Sequence, residues 1–285
     1  LAADNAFGFK LIKQLAEDHP ATNISISSYS AATVLHMVGS GAAGKTKNEM
    51  QQVLATTGLS LTDVNAANRE IAQSLTSANT PVILTVANAI WYRPHTPINP
   101  SFISTNKQFY GATVEALNFA DPHAVEIINA WAREKTQGKI KRMADGMIDP
   151  ESTRLFLADA IYFKGKWSKP FAVKDTKDRS FHLHAGGEKR IPMKAAFDGS
   201  GANFSGIAPG LFISAAQQKT LVEVNEEGTE AAAVTGMEVQ VASVSPRLEP
   251  FDMIVDRPFL FLIEDKQTEV ILFMGTVFDP TATKS

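Results

Sequence analysis

The run Glu226-Glu227-Gly228-Thr229-Glu230-Ala231-Ala232-Ala233-Val234-Thr235-Gly236, continued by Met237 to Ser243, is too regular in its alternation for an ordinary loop. It is also too rich in Gly and Ala for an ordinary core strand. Read with period 2, Thr229, Ala231, Ala233, Thr235, Met237, Val239 and Val241 share one face, and Glu230, Ala232, Val234, Gly236, Glu238, Gln240 and Ala242 share the other. Side chains alternate across a strand, so one face is ready for a core and the other mostly for solvent. Pattern alone admits two readings. One is a central strand entered from a Gly turn. The other is a segment with little bulk that slides between two strands already in place, since a permanent strand more usually carries Val, Ile and aromatics throughout.

Other stretches point the same way. They are Asn23-Ile-Ser-Ile-Ser-Ser-Tyr-Ser30, Ile128-Asn-Ala-Trp131 with Thr136-Gln-Gly-Lys-Ile140, and Ala160-Ile-Tyr-Phe-Lys-Gly-Lys-Trp167. Towards the C-terminus stand Asn203-Phe-Ser-Gly-Ile207, Asp256-Arg-Pro-Phe-Leu-Phe261 and Ile271-Leu-Phe-Met-Gly275. Together with Glu226 to Thr235, these resemble the serpins, protease inhibitors that insert a bait loop into their own β-sheet. The resemblance runs from Phe7 to Pro280. It implies one α+β domain over 1–285, with helices, a large central mixed sheet, smaller sheets and a mobile reactive-centre loop. In it, Glu226, Glu227, Gly228, Thr229, Glu230, Ala231, Ala232 and Ala233 would be the hinge. The family's usual spacing puts the attacked bond at Ala242–Ser243. Ser27, Ser30, Asp159, Trp167 and Gln218 would lie where the sheet opens, with Trp167 beside the insertion slot.

The sequence departs from the family at several of these points. Ser28 replaces a usual proline, Asp159 stands where relatives have Asn, and Gln218 stands where many have His. A larger break falls near residue 193. Gly187 to Met193 is similar to the end of a strand in the third sheet, whereas Met193 to Asp198 is similar to a segment much later in the fold. The strands and short helices between them are missing. Either the chain lacks them or the sequence joins two pieces across a gap. The hairpin residues Phe259, Phe261, Leu272 and Phe273 would otherwise lose their cover, which favours a gap, because large apolar patches are rare on soluble monomers.

Elementary patterning gives the elements. Phe7, Leu11 and Leu15 predict a helix over 3–18 that stops before Pro20. Ile24 and Ile26 alternate with Ser as a short strand. Ser27 or Ser28 caps a second helix closed by Gly39, with Ala31, Val34, Leu35 and Val38 on its apolar face. Thr46 with Glu49 reads as a capping box for a third helix, to about Ala55. Helices are expected at 63–77, 101–110 and 122–137, the last with Pro122 in its first turn. Strands are expected at 81–92, 113–118, 154–163, 221–225, 251–255, 258–264 and 270–278, the last two joined by a hairpin at Asp265 to Thr268. Helices dominate the first half and strands the second, which is an α+β order.

The 285 residues suffice for a sizeable core. Twenty-seven basic against 30 acidic residues leave a net charge of −3 with no long basic run, so nothing marks a nucleic-acid surface. No apolar run approaches the ~18 residues of a membrane span. Without cysteine there is neither a disulfide nor a Cys-based metal site. The chain starts at Leu1, as a processed product would, and shows no signal peptide, so secretion is implied by the resemblance alone. Asn23-Ile-Ser25 and Asn203-Phe-Ser205 fit the glycosylation sequon.

Competing motifs are weaker. Gly39-Ser-Gly-Ala-Ala-Gly-Lys45-Thr46 matches the P-loop pattern and contains Gly39-x-Gly41-x-x-Gly44, and Leu155 to Asp159 resembles the partner that would hold Mg²⁺. A P-loop needs a buried strand before Gly39, and residues 30–38 carry helical period instead. His182 and His184 would share a face of a strand, a solvated one with no third metal ligand indicated. Trp131 and Trp167 read as packing. The resemblance therefore implies a monomeric inhibitor without cofactor or enzymatic activity. Its partner would be a serine protease, elastase- or subtilisin-like because Ala242 is small. A non-inhibitory carrier or chaperone and a nucleotide-binding protein are the alternatives.

Overall fold

The computed structural model describes residues 1–77, 82–165, 178–192 and 255–281. In chain order these form α1 (Ala2–Asp18), β1 (Ile24–Ile26), α2 (Ser28–Gly39), α3 (Gly44–Val53), α4 (Leu61–Ser77), β2 (Ile83–Tyr92), α5 (Pro100–Tyr110), β3 (Thr113–Ala116), α6 (Ala124–Lys135), β4 (Leu155–Lys164), β5 (Asp178–His182), β6 (Glu188–Pro192), β7 (Phe259–Asp265) and β8 (Val270–Val277). The predicted strands at 221–225 and, but for its last residue, 251–255 lie outside the described residues.

The local chemistry explains most boundaries. Ser27 caps α2 by accepting from Ser30 N–H at 3.2 Å. Ser60 and Asp63 form a reciprocal box at the start of α4, the hydroxyl accepting from Asp63 N–H at 3.1 Å and donating to its carboxylate at 2.7 Å. Asn99 caps α5, Pro100 fills its first position, and Gly111 ends it in the left-handed region at φ 59°.

Two predicted helix starts are corrected. α3 begins at Gly44 without a side-chain cap, so Thr46 and Glu49 form no capping box, and Glu49 instead pairs with Lys45 at 3.3 Å. α6 begins after His123, leaving Pro122 outside; Asp121 holds the preceding turn by accepting from His123 N–H at 2.8 Å. At α6 this Asx turn competes with the helix for the same donor, which moves the boundary.

The main sheet runs β3-β2-β4, with β2 parallel to β3 and antiparallel to β4 over ten paired residues, Ile83↔Lys164 to Tyr92↔Leu155. It is mixed, as expected. Its two faces bury different layers. Ala89, Trp91, Phe156 and Ala158 pack under α6 with Ile128 and Ala132. Val86, Ile161 and Phe163 face the opposite way, against Tyr29, Ile71 and Leu272. Trp131 meets Trp91 edge-on at 5.4 Å, so it packs rather than offering a ligand platform. Asn129 accepts from Met143 N–H at 2.6 Å and Ala144 N–H at 2.9 Å, tying α6 to the chain leading into β4.

A second sheet, β1-β8-β7, closes over α1 and α2. β8 is its central strand and is buried along almost its whole length. The β7–β8 hairpin turns where predicted, with Asp265 Oδ2 accepting from Thr268 N–H at 2.7 Å. β5 and β6 form a separate antiparallel pair.

Candidate functional site at the join of helix α2 and the main sheet

The sequence Ser27-Ser28-Tyr29-Ser30 opens α2 at the point where the helix touches both sheets, and all four residues are buried. Each hydroxyl of the three serines finds a partner. Ser27 Oγ donates to Leu272 O at 2.7 Å and Ser28 Oγ to Ile271 O at 2.7 Å, both on β8. Ser30 Oγ donates to Asp159 Oδ1 on β4. Ser28 stands at the first helical position, where proline is common; here its hydroxyl adds a bond to β8 that proline lacks. Gly8 of α1 lies so close that a Cβ there would come within 2.5 Å of Ser28 Cβ.

Asp159 is buried and its carboxyl is pushed up to about 7 by that burial, against the opposing pull of the Ser30 hydrogen bond. Burial also raises the Tyr29 phenol, and the neighbouring Asp159 charge raises it further. Farther along α2, His36 Nε2 meets Asp4 Oδ1 at 2.9 Å, both side chains nearly excluded from solvent. Burial opposes ionisation of Asp4, but the hydrogen bond and charge of His36 help hold its pKa below the usual carboxylate range.

Of the residues expected where the sheet opens, the structure joins Ser30 to Asp159 and places Ser27 on the same turn, bonded to β8. Trp167, Gln218, the hinge from Glu226 to Ala233 and the bond Ala242–Ser243 lie outside the described residues. Asn88, which faces Asp159 across the β2–β4 ladder, escapes the sequence reading. Its signal is there nonetheless: a polar residue on the inward face of β2, between Val86 and Ile90. Chemically the cluster is a tether, because its hydroxyls are spent on carbonyls and one carboxyl, away from water. Ser27→Ala removes the α2 cap and leaves Leu272 O without that donor. Urea unfolding should show a loss of about 1–3 kcal/mol, and an unchanged midpoint would contradict the tether.

Other sequence motifs take structural places. Gly39 to Thr46 follows a helix rather than a strand, and Lys45 is 85% exposed and paired with Glu49, so no phosphate cradle is built there. His182 ends β5 between Glu188 at 3.1 Å and Asp256 at 3.8 Å. His184 lies in the following turn, edge-on to Phe278, so the two histidines do not share a strand face. The Asn23 sequon is engaged: its amide donates to Asp279 O at 2.6 Å and accepts from Phe278 and Asp279 N–H at 2.7 and 3.0 Å. No described helix is long and apolar enough to cross a membrane.

Comparison with known proteins places this architecture. Bovine (Bos taurus) leukocyte elastase inhibitor is 28% identical over 379 aligned positions, covering 98% of this chain and 99% of that protein. Glia-derived nexin of Homo sapiens is 27% identical over 372 positions, covering 96% and 92%. Both alignments are longer than the 285-residue chain, so a part of each relative has no counterpart here. Among solved structures, human glycosylated kallistatin superposes with a TM-score of 0.79 at 20% identity, covering 99% of this chain and 98% of that one. Native protease nexin-1 with heparin gives 0.74 at 25% identity, covering 96% and 97%. The model of the family described as "Serpin (serine protease inhibitor)" matches residues 2–194 and 189–280, two stretches that meet at the break noted near residue 193. With nearly its whole length matched, the chain belongs to the serpin family.

Proposed function

We propose that this serpin inhibits a serine protease as a suicide substrate. The protease serine attacks the Ala242 carbonyl, the peptide bond to Ser243 breaks, and Ala242 is held as an ester on the enzyme. Before water cleaves that ester, the freed hinge enters the main sheet beside β4, carrying the protease with it and distorting its active site. Adding a strand to a sheet makes a new row of main-chain hydrogen bonds, and cutting the loop is what lets the stored strain relax into them.

The observation that carries the reading is the hinge sequence itself. Gly228 lets the chain turn, Thr229 makes the first inward step, and Ala231, Ala232 and Ala233 present no bulk to the strands they must pass. Bulky or charged residues there would favour a carrier or chaperone role. The ten-residue pairing of β2 with β4 supports it by giving the incoming strand a long, regular neighbour. A small residue at 242 fits a shallow specificity pocket, and the likeness to a protein named for elastase inhibition agrees. Secretion and a monomeric state belong to the same proposal, as does a gap near residue 193 in place of a working truncation.

The position of the attacked bond is directly testable. Incubation with elastase and, separately, with trypsin should give a cut after Ala242 by mass spectrometry and little covalent complex with trypsin. A cut only after Arg247 rules out the Ala242–Ser243 assignment.

A further inference from the structure

Two buried acceptors lie side by side in the main sheet, and no described residue gives either of them a donor. Asn88 and Asp159 are direct partners in the β2–β4 register. Such pairs set their side chains on one face with Cβ atoms about 4.5–5.5 Å apart. Asn88 Nδ2 donates to Tyr110 O at 2.9 Å. A carbonyl can only accept, so this bond fixes the amide orientation and leaves Oδ1 turned away from Tyr110 O. Asp159 Oδ1 is taken by Ser30. Asn88 Oδ1 and Asp159 Oδ2 are both buried, and among the described residues neither has a hydrogen-bond partner.

An ionised carboxylate has nothing to offer the amide oxygen, whereas a carboxylic acid has one O–H to give. We propose that Asp159 carries a proton in the folded protein and donates it to Asn88 Oδ1, so that the pair forms a pH-sensitive latch between β2 and β4. The link to loop insertion rests on the function proposed above; the proton itself does not.

The surroundings agree. On its own face of β4, Asp159 stands between Leu157 and Ile161, and Val86 and Ile90 flank Asn88 on β2. From α2 come the Ser30 hydroxyl and the Tyr29 phenol, which burial keeps neutral. From α5 comes Tyr110, whose hydroxyl is bonded to Asn65 Oδ1 at 2.6 Å and whose phenol is likewise raised by burial. β8 contributes the Leu272 carbonyl, bonded to Ser27. α1 contributes Asp4, paired with His36 of α2. None of these supplies a positive charge directly to Asp159, and its upward shift to about 7 has burial as the leading cause.

The folded carboxyl holds its proton more tightly than the unfolded one, whose value is about 3.9. Its contribution to stability is therefore complete below about pH 4, falls as pH rises towards 7, and is lost above that. Asp159→Asn keeps the shape and supplies a permanent donor. Relative to wild type, the folding equilibrium constant of that variant should gain about tenfold per pH unit between pH 4 and 7 and then level off. In the intact chain, carbon-13 titration should show one aspartate carboxyl changing near neutrality, a signal missing from the variant.

If every aspartate titrates in the ordinary carboxylate range, the proton is absent, whether a water or nothing fills the gap, and the latch is wrong. A pH dependence that persists unchanged in Asp159→Asn overturns it too. Should that variant not fold, Asn88→Ala serves instead: removing the acceptor should lower the midpoint of the neutral-range carboxyl, and an unmoved midpoint contradicts the pairing. Absence of inhibition towards any protease would sink the proposed function and leave this titration as it is.

Discussion

Thr229→Arg should convert the inhibitor into an ordinary substrate: the loop is cut at the normal rate, but SDS-resistant complexes with the protease fall at least about tenfold. The effect is kinetic. Insertion and ester hydrolysis compete, and each 1.4 kcal/mol added to the insertion barrier slows that branch about tenfold. A guanidinium at the first inward position must leave water on entering the sheet, which costs several kcal/mol. Thr229→Val, similar in shape and uncharged, should keep most complex formation and so separates charge from size. Gel analysis at matched cleavage reads both. An undiminished complex yield from the arginine variant would put the inhibitory reading in trouble.

The second large effect is expected far from the loop. Gly275 sits in the middle of β8, opposite Ser25 of β1 and Phe261 of β7. A Cβ there would overlap the Ile24 carbonyl oxygen and the Phe261 ring. The ring could turn, but the carbonyl is fixed in the sheet ladder, so relief requires parting β1 from β8. Gly275→Ala should therefore cost about 3 kcal/mol or more, at or above the upper end of ordinary overpacking. Urea unfolding checks it, and a change below about 1 kcal/mol would show that the sheet yields where the packing says it cannot.

How far the sequence can be read depends on the kind of signal. Phe7, Leu11 and Leu15 recur at helical spacing and are buried together, and Ser27 caps α2, because periodicity and capping are local. The Asp265 to Thr268 turn is legible for the same reason. The starts of α3 and α6 fall elsewhere than expected: α3 begins at Gly44, two residues before the capping pattern at Thr46, and at α6 the Asx turn of Asp121 keeps Pro122 outside the helix. The strand expected to carry His184 ends two residues before it.

The site shows a sharper division. Resemblance singles out Ser27, Ser30 and Asp159, yet their roles come from contacts that span up to 245 residues of sequence, as between Ser27 and Leu272. No window of sequence encodes that meeting. Asn88 goes unnoticed in the sequence because its importance lies in standing opposite Asp159, a matter of register between β2 and β4.

On the proposed function, the loop beginning at Glu226 holds a strand's worth of unmade contacts. Burying Met237, Val239 and Val241 is worth roughly 1.5–3 kcal/mol each, and each ladder hydrogen bond adds ~1 kcal/mol. Thermal melting of the intact protein and of the same protein nicked once in the loop measures this directly. The nicked form should melt on the order of 20 °C higher or more. Melting at or below the intact temperature would mean that cleavage releases nothing, and insertion could not then disable a protease.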